Sequence, residues 1–274
     1  MKVVLTCPAK INTFLSVGPP DDRGWHPLRT IFQAIDLVDE LTIEPSETDC
    51  FSSDADWLPL DNSATKAIHM LRELVEVPPL RVHLAKRIPA QAGLGGGSSD
   101  AAAILRGVNM LLEKPLGADT LHRLALSIGA DVPFFLVGGR AKAEGYGERL
   151  TALDDVQERF LVVAKPDVDC STVEMYRRLD AVSRLWLDFP DDDLLHNDFE
   201  LVAPAECHQA IRLLKAFQAV DAGLTGSGSA VFGRFEEYTT AATATELMRG
   251  EGFDQVWCIR TLSRDESLQT RRTT

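Results

Sequence analysis

The densest chemical signal in the chain is the sixteen-residue stretch Ile88 to Ala103, IPAQAGLGGGSSDAAA. Four glycines within five positions (Gly93, Gly95, Gly96, Gly97) precede Ser98, Ser99, Asp100 and a run of alanines. A backbone free to take positive φ thus feeds a strong helix former. Unpaired N–H groups at a helix start, together with the positive end of its dipole, bind anions, and missing side chains let a polyphosphate come close. The stretch reads as a phosphate cradle that opens a helix. It is not the P-loop, because Ser98 stands where that motif has lysine, and it is not a dinucleotide fingerprint, because the third glycine is missing. A flexible glycine turn capped by Ser98 or Ser99 is the alternative.

Phosphoryl transfer also needs a cation near the γ-phosphate and a base or orienting group at the acceptor hydroxyl. Lys10, in Pro8-Ala9-Lys10-Ile11-Asn12, has apolar neighbours. It is either that cation or a strand-end lysine snorkelling to solvent. Asp131, in Gly129-Ala130-Asp131-Val132-Pro133, is flanked by apolar residues, where a carboxylate is costly unless paired or functional. It is either a base whose charged form Lys10 stabilises or the N-cap of an element beginning at Pro133. A second glycine cluster, Gly223 to Ser229, reads as a turn before a strand.

Five segments in order carry a family resemblance: Pro8 to Asn12, Gly24-Trp25-His26-Pro27-Leu28, the glycine loop, Ile128 to Pro133, and Leu224-Thr225-Gly226-Ser227-Gly228. Together they resemble the GHMP small-molecule kinases, in the longer GLGGGSSDAA form of the 4-diphosphocytidyl-2-C-methyl-D-erythritol kinase family, over most of the chain. The resemblance implies an α+β, two-lobed GHMP kinase fold. Its N-terminal lobe, residues 1–155, would be ribosomal protein S5 domain 2-like, and its C-terminal lobe, 156–274, a ferredoxin-like α/β sandwich. It implies transfer of the γ-phosphoryl of ATP, with Mg2+, to the 2-hydroxyl of a cytidine diphosphate methylerythritol, in non-mevalonate isoprenoid synthesis. Asp131 then matches the catalytic base and Lys10 its partner. Pro89, Gly93, Leu94, Gly95, Gly96, Gly97, Ser98 and Ser99 match the ATP site, and Asn62 a position near adenine, with helix capping as its alternative. Asn12 and Thr172 match groups around the methylerythritol. His26 matches the residue that reads the cytosine edge, sandwiched by Trp25 and Tyr176. The chain departs from the family at Trp25, where tyrosine is usual, and at Asp167-Val168-Asp169-Cys170, which is more acidic than the usual run. Competing readings are a homoserine- or mevalonate-type kinase and a non-catalytic binding protein on the same fold.

The elements that must position these residues follow from periodicity and breakers. Residues 2–5 and 11–17 read as two strands broken at Pro8, and 31–37 and 39–43 as two more. Residues 45–60 read as acidic loop. Asp61-Asn62-Ser63 caps a helix in which Ala67, Met70, Leu71 and Leu74 recur at helical spacing. Residues 80–84 form a strand leading into the glycine loop, and a helix runs from Ser99 to about Leu112. A helix at 119–128 and a strand at 140–144 close the first half. The second half reads strand 160–164, helices 172–180 and 205–220, strand 230–235, helix 238–250 and strand 255–261, with a polar tail from Ser267 that frays.

Composition sets limits. With 45% hydrophobic and 25% charged residues over 274 positions, the chain is globular. Its net charge of −13 excludes attraction of nucleic acid or anionic membrane through the overall field. Any polyphosphate must be held by local donors and metal. Five scattered cysteines without a CxxC indicate neither a zinc site nor a disulfide framework, and fit a reducing cytoplasm. No apolar run approaches the ~20 residues of a membrane span. The expectation is a soluble cytoplasmic small-molecule enzyme, monomer or homodimer, with no nucleic-acid or membrane partner.

Overall fold

The computed structural model describes residues 2–273. The first part contains β1 (Lys2–Val17), β2 (Leu28–Pro45), β3 (Cys50–Ser53), α1 (Ser63–Leu74), β4 (Leu80–Ala85), α2 (Gly96–Leu111), α3 (Ala118–Ile128), α4 (Phe134–Val137), β5 (Arg140–Glu144) and β6 (Arg149–Leu153). It is followed by β7 (Phe160–Lys165), α5 (Thr172–Asp180), β8 (His196–Asn197), a 3-10 turn at Asp198–Val202 and α6 (Ala205–Ala216). The chain ends with β9 (Asp221–Leu224), β10 (Val231–Phe235), α7 (Tyr238–Gly250), β11 (Gln255–Arg260), α8 (Arg264–Ser267) and β12 (Thr270–Thr273).

Two sheets organise these elements. The first runs β12-β1-β2-β4-β3, with β5 and β6 continuing from β2 and β8 added beside β1. The second is an antiparallel four-stranded sheet in the order β11-β7-β10-β9. That order, with α5 and α6 between the first two of its strands and α7 before the last, is the ferredoxin-like arrangement expected of the C-terminal lobe. The α+β fold class holds.

Several boundaries differ from the sequence reading, each for a local reason. The two strands around Pro8 are one, β1. The register against β2 shifts between Pro8 and Ala9, which is where a strand tolerates a residue without an N–H. The two strands at 31–43 are likewise the single β2. β3 lies in the segment read as loop; four residues paired parallel to β4 are too short to show a period. β6, β8 and the 3-10 turn were also absent from that reading. Finally, the described part of the polar tail is paired, since β12 runs beside β1 from Lys2↔Thr273 to Leu5↔Thr270; Thr274 lies outside the described residues. Polar side chains suit an edge strand as well as they suit a free end.

Three cores hold the layers together. α1 and α2 pack on the first sheet through Ala64, Ala67, Leu71, Ala101, Ile104, Leu105 and Val108. The small residues let α2 approach closely, and a methyl on Gly107 would lie 2.8 Å from the Leu5 side chain. In β7 the side chains alternate: Val162 and Ala164 face the helices of the second sheet, while Leu161 and Val163 join Ala9, Ile11, Ile35, Ile88 and Leu94 between the sheets. Burial on both faces explains why β7 reads as an unbroken apolar run. Ile88 and Leu94 belong to that middle core, so the glycine loop is anchored in the junction of the two lobes.

Candidate active site

The cradle is built by two turns of positive φ. Gly93 and Gly95 lie at φ 74° and 75°, and Gly95 is the N-cap of α2, which begins three residues before the predicted Ser99. Neither Ser98 nor Ser99 caps the helix; no side chain does. The first backbone bond of the turn is Ser99 N–H to the Gly95 carbonyl at 2.9 Å, so the amides of Gly96, Gly97 and Ser98 precede the ladder. Ser63 and Ala64, at the N-terminus of α1, line the same cleft of about 400 Å³, so two helix dipoles point their positive ends into it. Buried Ser99 Oγ has no protein partner. These features fit an anion with several acceptor oxygens.

Beside the loop, Lys10 and Asp131 meet. Lys10 Nζ lies 3.7 Å from Asp131 Oδ2; the lysine side chain is 4% exposed and the aspartate 38%, so the carboxylate is the more open of the two. Burial pulls the Lys10 pKa below that of a free lysine, and the Asp131 charge opposes the shift. The capping alternative for Asp131 is not realised: Pro133 occupies the N-cap of α4 and no side chain caps it. Asn12 fixes the ammonium from behind. Its Oδ1 accepts from Lys10 Nζ at 2.6 Å and from the Gly226 amide at 3.0 Å, while its Nδ2 donates to Thr30 Oγ1 at 2.7 Å. Thr225 Oγ1 accepts from the Asn12 amide at 3.0 Å. The second glycine cluster, read as a turn, is therefore also the brace of the site: Thr225 and Gly226 hold Asn12, and Gly226 packs on Gly93.

Lys10 and Asp131 open onto a cavity of about 730 Å³ that also reaches Gly93 and Gly95 on one side and Trp25, His26, Thr172 and Tyr176 on the other. His26 lies against Tyr176 with ring centroids 5.0 Å apart and planes 31° from parallel. Trp25 is 63% exposed and meets Tyr146 edge-on at 6.4 Å, so its face is free to receive a ring. Burial raises the Tyr176 phenol to about 12, with the nearby Asp131 charge adding to the effect. Thr172 Oγ1 is 2.9 Å from Ser227 Oγ, which ties α5 to the same turn that braces Asn12.

Residues 62–139 match the GHMP kinases N terminal domain. A 4-diphosphocytidyl-2-C-methyl-D-erythritol kinase of Geobacter metallireducens is 38% identical, the alignment covering 95% of this chain and 99% of that protein. The chain belongs to the 4-diphosphocytidyl-2-C-methyl-D-erythritol kinase family. A crystal structure of a 4-(cytidine 5'-diphospho)-2C-methyl-D-erythritol kinase superposes with a TM-score of 0.81 at 31% identity, covering 94% of this chain and 98% of the other. A homoserine kinase from Cytophaga hutchinsonii shares the fold, with a TM-score of 0.71 at 15% identity over 99% of this chain and 97% of the other. As a member of this kinase family the chain is an enzyme, and GHMP kinases use ATP. No helix among the described residues is long and apolar enough to cross a membrane.

Asn62 caps α1 at the edge of the same cleft. Its Oδ1 accepts from the amides of Ala64 and Thr65 at 2.9 and 3.1 Å, and its Nδ2 donates to the carbonyls of Pro59 and Leu60. The cap is thus formed, and Asn62 also lines the cleft, as do Trp57 and Pro59. Trp57, Leu58 and Pro59, in the segment read as acidic loop, are cleft residues the sequence reading missed.

It also missed a buried charge triad under the loop of this kinase. Lys86 Nζ lies 2.5 Å from Asp39 Oδ2 and 2.6 Å from Asp100 Oδ2, and all three side chains are at most 5% exposed. Asp39 Oδ1 also accepts from the amides of Arg87 and Ile88, which fixes the point where β4 turns into the glycine loop. Burial drives the Asp100 carboxyl up, with Lys86 opposing and Asp39 adding; burial pulls Lys86 down, but its two carboxylates outweigh that and leave it raised. The signal available in the sequence was Asp100 inside an alanine run, since a carboxylate on a buried face must find a cation. Asp39→Ala is expected to destabilise the protein by about 3–5 kcal/mol, because it takes one of the two carboxylates from buried Lys86 and leaves the amides of Arg87 and Ile88 without their acceptor. Denaturant unfolding measures this, and a loss below about 1 kcal/mol would show that the triad is not holding the loop.

Proposed function

We propose that the chain transfers the γ-phosphoryl group of ATP to the 2-hydroxyl of 4-diphosphocytidyl-2-C-methyl-D-erythritol, in isoprenoid precursor synthesis. The observation that carries this reading is a single cavity in which the Lys10–Asp131 pair lies between the glycine loop and the aromatic ring set of Trp25, His26 and Tyr176. The triphosphate lies on the glycine loop, against the amides of Gly96, Gly97 and Ser98. Asp131 takes the proton of the acceptor hydroxyl as its oxygen bonds to the γ-phosphorus, and the bond to the β-phosphate oxygen breaks to leave ADP. Lys10, held by Asn12, positions the Asp131 carboxylate through its charge and faces the negative charge that gathers during transfer. Its burial strengthens both effects, since little water screens it.

Magnesium suits this site as an ion carried by the nucleotide. Among the described residues no group of three His, Cys, Asp or Glu side chains could hold a metal, while Ser98, which lines the cleft at the loop, carries a hydroxyl of the kind magnesium takes beside phosphates. When bound it neutralises charge on the phosphate oxygens.

The cytidine is held by stacking between Trp25 and Tyr176 with His26 at its edge, and tryptophan in place of the family's usual tyrosine preserves a face for the base. Trp25→Ala is expected to raise KM for the cytidine substrate on the order of tenfold, from the loss of one stacking partner, with KM for ATP nearly unchanged. Steady-state kinetics in both substrates tests it. Equal rises in the two KM values would mean that Trp25 supports the fold and not the base.

A further inference from the structure

α5 presents one face to the cavity. Thr172, Tyr176 and Asp180 lie at spacings of four residues, so they stack along a single stripe of the helix, and all three line the 730 Å³ cavity. Thr172 and Tyr176 have parts in the reading above; Asp180, the last residue of the helix, has none.

Its surroundings give it one. Asp180 Oδ1 lies 3.3 Å from His26 Nε2, with the imidazole 6% exposed and the aspartate 44%. The other ring nitrogen, Nδ1, is 3.0 Å from the Gly18 carbonyl oxygen. A carbonyl can only accept, so Nδ1 carries a hydrogen and is committed to the backbone. The edge of His26 that remains faces the cavity together with the carboxylate. Tyr176, one turn back on the same helix, supports the imidazole and is itself pinned edge-on by Phe199 at 4.8 Å. The carboxylate therefore lies at the rim of the stacking platform, beside the residue assigned to the base edge. One of its oxygens lies beside His26 Nε2, an acceptor when the neutral ring carries its hydrogen on Nδ1, so that nitrogen and an ionised carboxylate together present acceptors to a donor on the base.

We propose that Asp180 is a specificity-determining residue that selects cytosine over uracil by accepting a hydrogen bond from the exocyclic amine of the base. The inference rests on the cytidine reading above and deepens it. Cytosine presents a donor at position 4 and uracil an acceptor. A carboxylate is an acceptor only, and acidic side chains pair with the cytosine amine for that reason. Against uracil the same carboxylate meets a carbonyl oxygen, two acceptors with no proton between them in a partly desolvated cavity. Discrimination thus comes both from the bond made with the right base and from the repulsion built against the wrong one. Stacking between Trp25 and Tyr176 supplies affinity for either pyrimidine and cannot make this distinction, because both bases offer a similar face.

The test compares kcat/KM for the cytidine diphosphate substrate with that for its uridine analogue in the full-length enzyme, for the unaltered protein, Asp180→Asn and Asp180→Ala. The unaltered enzyme is expected to prefer the cytidine compound by about a hundredfold or more. In Asp180→Asn the amide can turn either group toward the base, so the preference should fall at least tenfold, mainly through faster use of the uridine compound. In Asp180→Ala it should fall by a similar factor, mainly through loss on the cytidine compound. KM for ATP, unchanged in both, reports an intact fold. A preference within twofold of the starting value in both variants would overturn the proposal, as would equal losses on the two substrates, which would make Asp180 only a support for His26. If the unaltered enzyme used neither compound while still binding ATP, the cytidine reading would fail, and this inference with it.

Discussion

Asp131→Asn is expected to lower kcat by about 10²- to 10⁴-fold, the range removed when a positioned general base is lost. The substitution keeps size and an oxygen near Lys10, so the cavity is not reshaped, but an amide cannot take the acceptor's proton. The effect should fall on turnover and not on the nucleotide. Asp131 lines the acceptor cavity and is absent from the cleft formed by the loop, Ser63 and Pro89, so affinity for ATP should stay within about threefold. Single-turnover rates and an ATP titration by calorimetry separate the two quantities. Turnover near that of the unaltered enzyme would remove Asp131 from the chemistry and reduce the Lys10–Asp131 pair to a structural contact.

Gly93→Ala should be nearly as damaging, through the backbone. Gly93 lies at φ 74°, and a methyl group there would run into the carbonyl oxygen of Thr225. The left-handed conformation alone costs an alanine ~1–2 kcal/mol. The collision adds a push against the turn whose Thr225 and Gly226 hold Asn12 and, through it, Lys10. A single methyl thus disturbs the cradle and the catalytic pair together, and kcat/KM for ATP is expected to drop by at least two orders of magnitude with a lowered Tm. Gly97→Ala is the control. Gly97 sits inside α2, and the nearest atom to an added methyl is Ser63 Oγ at 3.5 Å. Alanine there should leave the fold intact or firmer by roughly 1 kcal/mol. Thermal unfolding with ATP kinetics on both variants checks the argument. Unchanged nucleotide kinetics in Gly93→Ala would mean that the loop does not need its junction with the second lobe.

The parts of this architecture legible in the sequence were those with a period or a punctuator. α1 with its Asn62 cap, α5 and α7 show helical spacing with clear ends, and they lie where the pattern put them. The glycine loop was legible because consecutive glycines before alanines have few uses. The start of α2 was not, since the three helical residues before Ser99 are two glycines and Ser98, which periodicity reads as loop. Long strands were cut in two because a proline or a bulge interrupts alternation without ending the ladder, as at Pro8. What stayed hidden was pairing across distance. Nothing local says that Asp39, Lys86 and Asp100 share one buried site, that Thr225 braces Asn12, or that β12 returns to β1. The chemical type of each residue hinted that it needed a partner, and only the fold supplied one. The acidic Asp167 to Asp169 run remains without a structural explanation.

Phosphorylation of a cytidine diphosphate methylerythritol at this site is tested most directly by following ADP release in a coupled assay. The purified protein is given ATP and magnesium with the cytidine diphosphate methylerythritol, homoserine or mevalonate in turn. Turnover on the cytidine compound alone is the predicted result. Turnover on homoserine or mevalonate in its place, or ATP binding with no ADP release on any of the three, would contradict it.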